Sequence, residues 1–142
     1  MIIDFASYDA IRAAIDITLD RAALSDDVIG LPIFRDAADL NIKRRDPLWA
    51  TRTGDSLSQL TIATIYLTAS LIAPAMPRLL SEKIASGGDD YTRQFQAIDW
   101  AARGRALRQL AEDALDVIID PGDAISTRPT RFVAASGRRG RW

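Results

Sequence analysis

The chain has 142 residues, with 18 Lys and Arg against 19 Asp and Glu, and 48% of its residues are apolar. That is the length of one domain and the composition of an ordinary globular protein, with enough apolar material for a genuine core. It contains no cysteine and no histidine, which excludes disulfides, thiolate metal sites and cysteine nucleophiles and removes the commonest general base and metal ligand.

The opening residues lack the basic, apolar and small-residue series of a secretory signal. The first helix is predicted over 8–19, with Ser7 as its N-cap, Asp9 in its first turn and Ile11, Ala14 and Ile15 as its buried stripe. Ser25, ahead of Asp26 and Asp27, reads as a second cap that opens a short turn through Ile29, and Gly30 ends it. Pro32 suits the first position of another helix, where its missing N–H costs nothing. That helix is predicted over 32–44, with Ile33, Phe34, Ala37, Ala38 and Leu40 facing inward and Arg35, Asp36, Asp39, Lys43 and Arg44 facing solvent. Asp46-Pro47 breaks it, because the residue before proline avoids the helical region. Residues 51–55, with Gly54, read as a loop.

No charge occurs between Asp55 and Arg78. Seven hydroxyl or amide residues (Ser56, Ser58, Gln59, Thr61, Thr64, Thr68 and Ser70) recur through this stretch, and lipid is a poor partner for so many. It reads as the central helix of a bundle over 56–73. Leu57, Leu60, Thr64, Leu67 and Leu71 line one face, and Ile62, Ile65, Ala69 and Ile72 another. Pro74 and Pro77 are expected to force an exit, with a further turn over 78–84 before the connector Ser86-Gly87-Gly88.

The longest predicted helix covers 90–119, about 45 Å if straight. Its stripe is Tyr91, Phe95, Ile98, Ala102, Leu107, Leu110, Ala114, Leu115 and Ile118, and Gly104 within it allows a bend or a close helix crossing. Asp99 and Glu112 are placed to pair within the helix with Arg103 and Arg108, with Arg105 beside them. Trp49 and Trp100 are candidate subunit-interface residues; Trp100 stands off the stripe, so core and interface both remain open for it.

The tail, 121–142, changes character. Arg128, Arg131, Arg138, Arg139 and Arg141 face one acid, Asp123, giving +4 against −5 for the rest of the chain. Phe132, Val133 and Trp142 punctuate it. A solvated tail has no need of such groups, whereas an arm that reaches another molecule does. The arm is expected to dock in an acidic or aromatic-lined protein groove through Arg128, Arg131, Phe132, Val133, Arg138, Arg139, Arg141 and Trp142. The alternative is contact with nucleic-acid phosphate through the same arginines, which salt would weaken.

No acid–base chemistry stands out. The pairs Asp26–Asp27, Asp89–Asp90 and Glu112–Asp113 read as solvated helix faces, since adjacent helical residues diverge. Asp36–Asp39 could share a face but reads the same way, because it lacks the Glu-x-x-His repeat of a di-metal bundle site. Ser86-Gly87-Gly88 lacks the Lys-Ser or Lys-Thr of a phosphate loop. The expectation is an all-α protein: a small bundle of about four helices over 1–120 with an extended basic arm over 121–142, no catalytic or metal residues and no cofactor.

Two segments, Tyr8-Asp9-Ala10-Ile11-Arg12-Ala13-Ala14 and Leu24-Ser25-Asp26-Asp27-Val28-Ile29-Gly30-Leu31-Pro32-Ile33-Phe34, resemble the N-terminal portion of head–tail connector (adaptor) proteins of tailed bacteriophages. The later order of uncharged helix, proline-marked turn and amphipathic helix is similar too. The resemblance implies a structural virion protein at the head–tail interface, assembled in the host cytoplasm. It implies a homo-oligomeric ring of about twelve copies with closed symmetry. The terminal arm would reach the portal protein, the other face would receive the tail or stopper protein, and DNA would pass through the lumen during packaging and ejection; no membrane is involved. An acidic body suits such a conduit, since carboxylates resist sticking to phosphate. The rival reading is a small helical nucleic-acid-binding or regulatory protein.

Overall fold

The structure, a computed structural model, describes residues 2–85, 95 and 98–119, with the backbone alone for 82–85. Its principal elements are α1 (Tyr8–Ile15), α2 (Asp26–Ile29), α3 (Ala37–Arg45), α4 (Gly54–Ile72), α5 (Met76–Ala85) and α6 (Trp100–Ile119). No strand occurs among the described residues. The body is an all-α bundle.

α1 starts where the sequence predicts but is capped differently. A 3-10 turn, Phe5–Ser7, runs straight into it, so Ser7 is already helical and makes no side-chain cap bond. The capping carboxylate is that of Asp4, which accepts the Ala6 N–H at 3.0 Å. α1 also stops short of 19. Asp16 turns to extended backbone, and its carboxylate accepts the Thr18 N–H at 2.9 Å and the Thr18 hydroxyl at 2.6 Å. Such a local Asp turn competes with helix. Ser25 caps α2 as expected, its Oγ accepting the Val28 N–H at 3.4 Å.

The helix predicted over 32–44 is two pieces, a π turn at Pro32–Asp36 followed by α3. The π turn changes the rotational phase that a uniform 3.6-residue period assumes. Phe34, Ala38 and Ile42 are buried, but Ile33, Ala37 and Leu40, expected inside, are exposed. Asp39, expected outside, is buried: its carboxylate accepts the Ile2 N–H at 2.7 Å and pairs with Lys43 at 2.8 Å.

Trp49–Thr51 forms a 3-10 turn, and Gly54 is the first residue of α4 rather than the middle of a loop. Its φ of 59° lies in the left-handed region that glycine enters without a Cβ penalty. α4 is the central helix, with α1, α3 and α6 packed on it. The helical stretch Gly54–Ser81 is long and apolar enough to cross a membrane, with mean hydropathy 1.5, and 56% of its most apolar window is buried inside the fold. Its buried hydroxyls bond to their own helix, Thr64 to the Leu60 carbonyl at 2.7 Å, Thr68 to Thr64 at 2.8 Å and Ser70 to Leu67 at 2.6 Å. A threonine that bonds back to its own turn presents a methyl group outward, which lets it pack as an apolar residue. Leu57 and Ile62 of the predicted stripes are exposed, so only the rest of α4 is enclosed on several sides.

The prolines do not force the chain away. Pro74 lies in a 3-10 turn, Ala73–Ala75, and Pro77 in the first turn of α5, both positions where a missing N–H is tolerated. α6 begins later than the predicted 90, at Trp100. The Asp99 carboxylate accepts the Ala102 N–H at 3.0 Å, so Asp99 is a helix cap and not an ion-pair partner. Its 20 residues make a helix of about 30 Å. Tyr91, the Ser86-Gly87-Gly88 connector and the Asp89–Asp90 pair lie outside the described residues.

α6 crosses α4 closely. A Cβ on Gly104 would meet the Pro74 ring at 3.1 Å and the Ser70 carbonyl oxygen at 3.2 Å. At the other end, Val117 and Ile118 border one groove with Asp55, Ser56, Ser58 and Gln59. The start of α6 is therefore at the end of α4 and the reverse, which makes the pair antiparallel. Two apolar clusters flank α4. One gathers Tyr8, Ile11, Ile15, Leu24, Ile72, Met76 and Trp100; the other gathers Ala38, Ile42, Leu60, Leu67, Ala111 and Leu115. Tyr66 and Leu71 pack against both.

Candidate functional site

The eight arm residues named from the sequence (Arg128, Arg131, Phe132, Val133, Arg138, Arg139, Arg141 and Trp142) all lie outside the described residues. The site can be built only on the body's surface, starting with where its charges go.

Among the described residues, Asp9, Asp16, Asp26, Asp36, Asp39, Asp46 and Glu112 are engaged by nearby cations. Arg12, 2% exposed, donates from Nε to the Leu24 carbonyl at 2.7 Å, from Nη1 to Asp9 at 2.9 Å and from Nη2 to Asp26. This fork ties α1 to the start of α2, and the Arg12 hydrogen bond holds the Asp26 carboxyl below the usual carboxylate range. Arg52 grips the buried Asp46 through two bonds of 2.9 and 2.8 Å. Those bonds lower the Asp46 carboxyl against the opposing effect of burial. At Asp16, burial acts to raise the carboxyl, but the Thr18 hydroxyl and N–H and the Arg103 guanidinium together outweigh it. The Tyr8 hydroxyl accepts from Arg35 Nη1 at 2.6 Å. Among the described residues no group of three or more carboxylates is placed to hold a metal.

The predicted ion pairs inside α6 are replaced by contacts between elements. Arg103 reaches α1, donating to the Ile15 carbonyl at 2.6 Å and to Asp16 at 3.2 Å, and so caps the end of that helix. Glu112 pairs with Arg45 of α3 at 2.6 Å and not with Arg108. Asp113 instead accepts from Gln109 at 2.9 Å.

The two candidate interface tryptophans separate. Trp100 is 7% exposed, inside the first core cluster, with its ring 6.1 Å from that of Phe95; it is a core residue and is removed from the interface candidates. Trp49 is partly buried against the second cluster, with Lys43 Nζ 4.2 Å from its ring centre. That cation–π contact covers one face of the indole.

Exposed apolar residues include Phe5, Ile17, Leu31, Leu57 and Ile62, and others gather on two helix flanks. The outer face of α3 carries Ala37, Leu40 and Arg44, with Ile33 before it and Leu48 beyond it. One flank of α6 carries Ala106, Leu110, Asp113 and Val117, a run at i, i+4, i+7 and i+11. At 100° per residue, Leu110 and Val117 lie roughly 140–160° around α6 from Glu112, which faces α3. The two apolar flanks therefore look out from different sides of the molecule. Beside Val117 opens the groove of about 350 Å³ between the first turns of α4 and the last of α6. A second groove, about 370 Å³, runs between α1 and α4 and is lined by Ala10, Ala13, Ala14, Ile62, Ile65 and Tyr66.

Reading the sequence missed both flanks. Uniform periodicity places Leu40 inward and Leu110 in the buried stripe, whereas both are exposed. The recurrence at Leu110 and Val117, offset from the buried run Ala111, Ala114, Leu115 and Ile118, was the available signal. Comparison with known protein families, with curated proteins and with solved structures returns no match.

Proposed function

We propose that the chain is a structural subunit, a head–tail adaptor of a tailed bacteriophage whose copies form a ring between the portal and the tail or stopper protein. The observation that carries this reading is the division of charge, +4 in 121–142 against −5 in the rest. An acidic body repels phosphate and so suits a surface past which DNA slides, while a basic arm with Phe132, Val133 and Trp142 suits attachment to a protein. The resemblance of 8–14 and 24–34 to the connector family supports it. The all-α bundle and the exposed apolar flanks of α3 and α6 are compatible with it, since a ring covers such flanks. One arm binds weakly because docking orders it, and a ring of arms gains avidity from effective concentrations that reach about millimolar.

The test is affinity capture from a lytic-phase lysate with two baits: the full chain, and the full chain with its five tail arginines changed to alanine. Mass spectrometry then identifies what each retains. A large oligomeric portal protein held by the first and lost by the second is the expected result. Nucleic acid alone, released by salt, replaces this reading with the nucleic-acid-binding one.

A further inference from the structure

We infer that copies of this chain contact one another head to tail, Leu40 and Arg44 of one copy seating against Val117 and Asp113 of the next. The inference rests on the proposal that the chain assembles with itself, and it names the two surfaces that meet.

Four observations carry it. First, the surfaces are apolar and open: Leu40 is 51% and Val117 52% exposed. Second, each apolar group stands one helical turn from a charge of opposite sign. Lys43 and Arg45 are engaged by Asp39 and Glu112, whereas Arg44 is exposed and has no ion pair among the described residues. On α6, exposed Asp113 has only the neutral Gln109 amide as its partner among the described residues. Third, the spacings agree. Leu40 to Arg44 and Asp113 to Val117 are each four residues, a rise of about 6 Å. Crossing the helices antiparallel sets Leu40 on Val117 and Arg44 on Asp113 together. Fourth, Val117 borders the open groove of about 350 Å³ with Asp55 and Gln59, which gives the Leu40 side chain a place to enter.

The two surfaces differ, and they face different directions. A contact between unlike patches is heterologous, so a linked pair keeps one free donor surface and one free acceptor surface. Such a contact propagates, and it closes into a ring when the rotation per copy divides a full turn. The small stripes and the one charge pair make a modest contact, so register and orientation come from the charges and persistence from closure.

The cysteine-free sequence permits a direct test. In the full chain, L40C/V117C is expected to give a ladder of disulfide-linked multimers under mild oxidation. A mixture of the L40C and V117C single variants is expected to stop at a linked pair. Sedimentation of the unmodified chain measures the association constant. R44E and D113R are each expected to weaken it at least about tenfold, and the two together to return it to within about threefold of the original. Circular dichroism confirms that each variant folds.

Ready crosslinking of L40C to itself overturns the inference, because it shows like surfaces meeting. So does absence of the ladder, a chain that stays monomeric to millimolar concentration, or charge reversals without mutual rescue. The assembly contact and the adaptor reading fail separately. A ladder without portal capture removes the adaptor, and portal capture without a ladder removes this contact.

Discussion

Gly104 lies against Pro74 so closely that an added Cβ would stand 3.1 Å from the proline Cγ, with the Ser70 carbonyl oxygen at 3.2 Å. Neither neighbour yields easily, since one is a ring fixed in a 3-10 turn and the other is backbone. The glycine in mid-helix costs about 1 kcal/mol of helix propensity. Overpacking at a tight crossing costs about 1–3 kcal/mol. The crossing wins, so Gly104→Ala is expected to lower stability by about 1 kcal/mol despite the better helix former. Gly104→Val should lower it further. Urea denaturation of the two variants against the parent measures both values.

Arg12 is the buried side chain on which the 16–25 segment depends, because its three bonds reach Leu24, Asp9 and Asp26. Arg12→Ala leaves the Leu24 carbonyl without its donor and should cost about 1–3 kcal/mol. Arg12→Lys keeps the charge but offers no planar fork, so it should recover only part of that loss. Thermal denaturation of both variants tests the order; equal stability of Arg12→Lys and the parent contradicts the account.

Asp46 gives the fold an acid-sensitive joint. Its folded carboxyl is held below the ordinary value by Arg52. A depressed carboxyl contributes stability that is fully present above the unfolded pKa, about 3.9, and is lost as pH falls through the lower folded value. Asp46→Asn should therefore be less stable than the parent at neutral pH, and the difference should shrink steadily below pH about 4. Chemical denaturation at a series of pH values records the convergence. A gap that persists at the lowest pH would assign the loss to packing.

The arm has a simple electrostatic signature. Were its five arginines the basis of duplex DNA binding, the logarithm of the affinity would fall with the logarithm of salt at a slope of about −4 to −5. The adaptor reading expects no retained duplex DNA at about 0.15 M salt, where the acidic body's repulsion is only partly screened. Fluorescence anisotropy with a labelled duplex decides the matter.

Reading ahead from sequence works here wherever one residue type has one local use. Ser25 before two aspartates is a cap, Asp46-Pro47 is a stop, and Gly104 marks a crossing; each is as expected. It fails where the outcome depends on a distant partner. Asp39 is buried where the Ile2 N–H, 37 residues away along the chain, comes to it, and nothing near Asp39 announces that. The inward assignment of Leu40 fails for a geometric reason, since the π turn at Pro32–Asp36 breaks the regular period. Asp16-Ile17-Thr18 could have shown the end of α1, because Asp followed two residues later by a donor is a turn signal. The two outward flanks carry no motif at all. They become visible only when the buried faces of α3 and α6 are fixed.

The antiparallel pairing of α4 and α6 also has a mechanical meaning. Residues 121–142 follow α6 in the chain, so a force applied to them enters the bundle through that helix. When the opposing anchor lies at the Ile72 end of α4, the rows of side chains between Gly104 and Ile118 are loaded side by side, in shear. Antiparallel helices strained this way resist with all their contacts together, whereas peeling would break them one after another. A force applied at this point passes from α6 into α4, the central helix, and from there to α1 and α3.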